Sequence, residues 1–193
     1  MKKLSVILFF AVAAVQLAVP VTMIMRKEKV ISDGKMFRFK TAPIDPSDPF
    51  RGKYIILNLE ASDYKLSKEE SEMDLDGAYA HIRENKEGYA EVADISETPP
   101  EDTADYVKIK SDNNSFFGSW FFSGASFHFP FERFYMDEEK APAAEALYRR
   151  TQRDTAAISY ALVSILNGGG VVTDVIINGK SVREIPVLKL NDN

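Results

Sequence analysis

Cysteine is absent from the chain. That excludes disulfides, cysteine-ligated zinc, thiol nucleophiles and a lipid-modified N-terminal cysteine. Histidine is scarce: His81 and His128 are the only two, each in a strand-like run, and neither has the clustered partners a metal site needs. No Gly-x-Ser-x-Gly elbow occurs, so a Ser-His-Asp triad is not expected. The run Gly168-Gly169-Gly170 is not followed by Gly-Lys-Ser/Thr and lies between two apolar stretches. It therefore reads as a hairpin turn, not as a phosphate loop. Positive charge is also short. Residues 1–26 carry Lys2, Lys3 and Arg26 and no acid, which leaves 21 basic against 29 acidic residues beyond them, a net −8. A surface of that sign excludes nucleic acid, whose phosphates need a basic footprint. These absences predict no metal and no cofactor.

What the chain does have begins with an apolar run. Leu4 to Met25 holds no charge, and Gln16 is its one strongly polar side chain. At ~1.5 Å per residue, about 22 helical residues span a ~30 Å hydrocarbon core. A cleaved signal peptide is the rival reading, since Lys2 and Lys3 suit its basic start. Its apolar region would be only ~7–15 residues long, ending in a small-x-small site. Ala11-Val12-Ala13 comes too early for such a site, and Leu17-Ala18-Val19-Pro20 suits cleavage poorly. The reading is a single-pass signal-anchor at residues 1–26, a charged connector at 27–35 and a soluble domain at 36–193; a buried core helix is a third alternative. Lys2 and Lys3 nearly balance Arg26, Lys27 and Lys29 across the segment. A short N-terminus before a first apolar segment stays inside, which places the domain on the extracytoplasmic side of a bacterial inner (cytoplasmic) membrane.

Beyond the connector the apolar pattern changes to period 2. Met36 to Thr41 alternates, Ala42 to Gly52 is broken by three prolines, and Lys53 to Leu59 reads as a second strand. Ser62 to Glu72 is polar, a short helix or an exposed loop. Ala78–Arg83 and Tyr89–Ile95 flank a spacer of hairpin length, and Tyr106–Lys110 is a further strand. Ser115 to Tyr135 is the aromatic centre, with Phe127, Phe129 and Phe131 on one face of a strand. Asp137 to Gln152 reads as a helix, with acids at its start and Arg149, Arg150 and Arg153 at its end. Ala156–Leu166, Val171–Ile177 and Ser181–Leu190 close the chain as strands. Asn178-Gly179 is a strong hairpin signal, and Pro186 demotes the last strand to an edge or a bulge. The fold class predicted is α+β, β-dominant: an N-terminal transmembrane helix, then an antiparallel sheet packed by one main soluble helix.

Gly52-Lys53-Tyr54-Ile55-Ile56-Leu57-Asn58-Leu59, preceded by Asp45-Pro46-Ser47-Asp48-Pro49-Phe50-Arg51, resembles the motif of the bacterial GDYXXLXY family of membrane-anchored proteins. Gly52, Tyr54 and Leu57 match, whereas Lys53 and Leu59 replace the aspartate and the last tyrosine. Phe131-Glu132-Arg133-Phe134-Tyr135-Met136, leading to Ala143-Ala144-Glu145, resembles a second segment, and the hairpin at Asn178-Gly179 resembles the family's ending. The resemblance implies one N-terminal membrane segment, a domain without an assigned activity, and a multi-pass membrane protein as partner.

Two sets of residues are candidates for a site. Asp45, Asp48, Phe50, Arg51, Gly52, Tyr54 and Leu57 form a motif that either shapes its own loop through Asx-turns or presents Phe50 and Arg51 to a partner. Glu132, Arg133, Asp137, Glu138 and Glu145, with Glu139 and Arg51 nearby, could supply a hydrolase with paired carboxylates. Equally, the arginines could pin the proline-rich loop to the sheet. The expected role is that of a non-enzymatic accessory to a multi-pass membrane protein, attached through residues 4–25. The alternatives are an envelope hydrolase using the Glu132–Glu145 carboxylates and a ligand-binding module using the aromatic strand Phe127–Phe131.

Overall fold

An uncharged run of leucine, isoleucine, valine, phenylalanine and alanine has to satisfy its backbone internally if it meets lipid, and a helix does so within one segment. The structure, a computed structural model, describes residues 2–41, 54–70, 73–111, 127–135 and 158–184. Its first element is the helix α1, Lys2–Asp33, with Pro20 inside it. This helix is long and apolar enough to cross a membrane, and none of its most apolar window is buried against the rest of the chain. The hydroxyl of Thr22 donates to the Val19 carbonyl at 2.8 Å, so its polar group is satisfied within the helix. The helix does not stop where the charges begin. It continues through the expected connector as far as Asp33, and Gly34 is the single residue between it and the first strand.

Eleven strands follow among the described residues. β1 (Lys35–Lys40), β9 (Ser159–Leu166), β10 (Gly169–Ile177) and β11 (Lys180–Ser181) form an antiparallel sheet in the order β1-β9-β10-β11. A second sheet has the order β4-β3-β5, from β3 (Tyr79–Glu84), β4 (Ala90–Ser96) and β5 (Tyr106–Lys108). Two short ribbons complete the set. β2 (Tyr54–Ile56) pairs with β8 (Arg133–Tyr135), and β6 (Lys110–Ser111) pairs with β7 (Phe127–His128). β5 ties the two sheets together, because the Lys108 amide donates to Gly168 and the Gly168 amide donates to Tyr106, both at 3.0 Å.

Alternation decides which side chains make the core. On β1, Phe37 and Phe39 point inward and are fully buried, with Ala161, Val163 and Ile165 beside them on β9. Val107 and Ile109, on one face of the run expected as a strand over Tyr106–Lys110, are buried likewise. Phe39 meets Phe129 and Phe131 edge-on at centroid distances of 5.5 and 5.4 Å, and Phe127 meets Phe129 at 5.3 Å. The expected aromatic face is therefore this core. With Phe127, Phe129 and Phe131 no more than 4% exposed, it offers no open surface to a ligand.

The even-numbered side of β9 faces the end of α1. Ser164 is fully buried there, and its hydroxyl donates to the Val30 carbonyl at 2.6 Å. The Gly34 amide donates to the same carbonyl at 3.1 Å. Helix ends leave carbonyls without partners, and this one receives two donors. A Cβ on Gly34 would overlap both the Val30 carbonyl and the Ser164 hydroxyl.

The Gly168-Gly169-Gly170 run is a hairpin turn only at its first residue, where φ is +82° beside Asn167 at +47°. The other two glycines already belong to β10. A side chain on Gly169 would press on Val30 of α1, and one on Gly170 would overlap the ring of Phe131. One glycine turns the chain, one admits the helix on one face of the sheet, and one admits the aromatic core on the other. The Asn178-Gly179 hairpin is present, with both residues at positive φ. Of the strand expected over 181–190, the described part is Ser181 at the end of β11, followed by a 3-10 turn at Val182–Glu184. Residues 185–190 and the expected helix Asp137–Gln152 lie outside the described residues.

Two glycine substitutions separate these effects. Gly170→Ala is expected to cost about 1–3 kcal/mol through overpacking, and part of that cost is recovered when Phe131→Leu is added. Gly179→Ala meets no atom within 4 Å, so its cost of about 1 kcal/mol is purely a backbone one and Phe131→Leu leaves it unchanged. Thermal melts of both single glycine variants, both double variants and Phe131→Leu alone as their reference read both outcomes.

Candidate functional site

The two segments that carry candidate residues come together in the β2–β8 ribbon. Tyr54 lies opposite Tyr135, Ile55 opposite Phe134 and Ile56 opposite Arg133. The ladder continues where the Leu57 amide donates to the Glu132 carbonyl at 2.8 Å. Leu57 and Leu59 then turn fully into the core, and Leu59 bridges to Thr41 at the end of β1. The matching leucine of the motif is thus a packing residue. Leu59, at the place where the motif has a tyrosine, fills the same core. Asp45, Asp48, Phe50, Arg51 and Gly52 lie outside the described residues, as do Asp137, Glu138, Glu139 and Glu145.

Within the acidic and basic set, Glu132 and Arg133 are described. The Glu132 carboxylate closes the tight turn between β7 and β8. It accepts from His128 Nδ1 at 2.7 Å on Oε1 and 2.9 Å on Oε2, and from the Phe129 amide at 3.1 Å on Oε1. A carboxylate held by a ring and a backbone amide sets the direction of the chain, here aiming Phe127, Phe129 and Phe131 inward. Phe134, next along β8, is buried with the Arg183 guanidinium over its ring at 5.6 Å.

Two constellations escaped the sequence. The first is Glu70, a buried carboxylate in the polar stretch after β2. It accepts from the Ser67 amide at 2.7 Å, from the Ile95 amide at 2.9 Å and from the Tyr64 hydroxyl at 3.0 and 3.2 Å. Burial pushes its pKa up, but the Ser67, Ile95 and Tyr64 hydrogen bonds outweigh burial and hold it below the usual carboxylate range. Burial, with the hydrogen bond to Glu70 second, pushes the Tyr64 phenol up to about 12. Ser67-x-x-Glu70 is the spacing of a capping box. That spacing was legible in the sequence; the partner at Ile95, from another strand, was not.

The second is on the β3–β4 hairpin. One extra residue in β4, opposite the interval from Ala80 to Ile82, makes a β-bulge. His81 then lies beside both Asp94, 3.0 Å from Nδ1, and Ser96, whose Oγ is 3.3 Å from Nε2. The order Ser-His-Asp is that of a nucleophilic triad. However, the Ser96 hydroxyl has one proton, and the Thr98 carbonyl lies closer to it at 2.8 Å. Ser96 also ends an extended strand and does not occupy a sharp strand-to-helix elbow. This is a polar clasp on a hairpin and not an activated serine. Among the described residues no group of three or more His, Asp or Glu could hold a metal ion.

Stability measurements test the Glu70 assignment. Glu70→Ala leaves the Ser67 and Ile95 amides without their acceptor and is expected to cost about 2–4 kcal/mol. Because the folded pKa is depressed, the carboxylate's contribution is fully present above the unfolded value of ~4.3. It is lost as pH falls through the folded value. Melting temperature against pH should therefore fall less steeply below pH ~4.3 for Glu70→Gln than for the wild type; parallel acid limbs would refute the assignment.

Comparison with curated proteins and with solved structures finds no match. A family model, described as GDYXXLXY protein, matches residues 16–175. The match takes in the second half of α1, the β2–β8 ribbon and the central strands to which the helix is bonded. It spans most of the chain, which belongs to the GDYXXLXY protein family.

Proposed function

We propose that the chain is a single-pass membrane-tethered domain, held on the extracytoplasmic side of a bacterial inner membrane, that serves a multi-pass membrane protein as a non-enzymatic accessory. The observation that carries this reading is the continuity of α1. One helix runs from the apolar segment to Asp33, and its Val30 carbonyl is bonded to Ser164 in the centre of the sheet. A domain joined to its anchor by a rigid, bonded helix keeps one orientation against the bilayer. That suits a docking role better than a search for soluble substrate.

The apolar surface of α1 supports the same reading. Its own domain buries none of the most apolar window, so in a membrane lipid or another protein's helices cover it. Ala11, Ala14 and Ala18 fall on one face at helical spacing, where small residues allow close approach of a second helix. The hydrolase alternative gains nothing from the described residues. Glu132, the one carboxylate of its set among them, is engaged by His128 and the Phe129 amide.

Extraction in mild detergent followed by affinity purification tests the role. A multi-pass protein should co-purify reproducibly and be lost when Ala11, Ala14 and Ala18 are replaced by leucine, with membrane insertion retained. Recovery of the chain alone would overturn the accessory role. A C-terminal phosphatase fusion should be active, since that reporter requires the extracytoplasmic side; inactivity there with a fluorescent cytoplasmic fusion would reverse the orientation.

A further inference from the structure

Where α1 meets the sheet, the chain forms a groove of about 600 Å³. Arg26, Lys27 and Val30 line it from the helix, and Lys108 and Lys110 line it from β5 and β6. Asp76 is its one acidic side chain among the described residues, and Gly168 with the start of β10 also lines it. Four cations beside one carboxylate are unexpected in a chain whose residues 27–193 carry net −8. All four are exposed, and none takes part in the ion pairs found among the described residues. Lys108 lies over the ring of Tyr79 at 5.9 Å, which steadies the ammonium without neutralising it.

The height of the groove identifies its occupant. Arg26 is the first charge after the apolar run, so it marks where the helix leaves hydrocarbon. The headgroup layer on each side of a bilayer is ~5–8 Å deep, and Arg26 to Val30 is ~6 Å of helix. The two bonds to the Val30 carbonyl fix the sheet to the helix at this level. Lys108 and Lys110 are thereby held beside Arg26 and Lys27, at the level where the helix leaves its apolar run, instead of being carried there by a loose linker. We propose that the groove seats the headgroup of an anionic phospholipid, with one phosphodiester charge and no ammonium, in the leaflet from which α1 emerges. The cations pair with the phosphate while the acyl chains stay in the bilayer beside α1. A zwitterionic headgroup would bring its own ammonium against the four cations and is disfavoured. This inference rests on the tethered reading above.

The full chain in mild detergent, titrated with phosphatidylglycerol and with phosphatidylcholine and examined by native mass spectrometry, tests it. Phosphatidylglycerol should be retained in preference, and Lys108→Gln with Lys110→Gln should weaken its retention on the order of tenfold while leaving phosphatidylcholine unchanged. Lys2→Gln with Lys3→Gln, at the far end of the helix, should change neither. Millimolar inorganic phosphate should not displace the lipid; displacement would identify a free-anion site and overturn the proposal. Equal retention of both lipids by the wild type, or an undiminished preference in the Lys108/Lys110 variant, would also overturn it. Both lysines are exposed, and Lys110→Gln alone repeats the test should the pair lower the melting temperature. Carbonate extraction separates the two readings. A chain released from membranes refutes the tether, whereas one that stays in place with no lipid preference refutes the groove alone.

Discussion

The bond from Ser164 to the Val30 carbonyl is the constraint on which the rest of the molecule depends. A serine hydroxyl buried in a sheet needs a partner, or its desolvation costs about 1–3 kcal/mol. Here the partner is the last turn of a membrane-length helix. β9, which carries Ser164, is also the strand that pairs with both β1 and β10. The residues immediately after the helix and those near the end of the chain therefore form one unit around that bond. The helix cannot swivel on the sheet without exposing Ser164, and Gly34 leaves no room for a side chain that would separate them.

Glycine and phenylalanine divide the remaining work. The sheet is covered on one side by α1 near Val30 and on the other by the rings of Phe39, Phe129 and Phe131. Each cover requires one residue of β10 to have no side chain. Gly169 and Gly170 meet those two demands in succession, because alternate residues of a strand face opposite ways. A chain with alanine at both positions would be asked to push the helix off one face and a buried ring off the other. Glu132 acts at the same boundary, since by holding His128 and the Phe129 amide it bends the chain so that the rings enter the core in the order required.

The parts legible in the sequence are those set by local pattern. Alternation at Met36–Thr41, the spaced apolar runs of the β3–β4 hairpin and Asn178-Gly179 each specify geometry within a few residues, and each is present. The charged stretch 27–35 was readable only as a connector, because composition there gives no hint that the helix persists until the sheet caps it. Glu70 hides for a related reason. Its box with Ser67 is local, but its burial comes from Ile95, 25 residues away. The same holds for Lys108 and Lys110. They belong to a run legible as a strand, and only the pairing of β5 with the β9–β10 turn carries them to Arg26 and Lys27.

These placements sort the charged residues by what surrounds them. Glu70, which is buried, and Glu132, which is half-buried, accept from backbone amides and neighbouring side chains, and so spend their charge on holding loops in place. The cations of the groove are the reverse case: close together, exposed, and without carboxylate partners among the described residues. Like charges gathered at one place repel unless an anion is shared between them. A domain that is otherwise acidic has gathered positive charge beside the end of its long apolar helix, where the proposed headgroup would supply the shared anion.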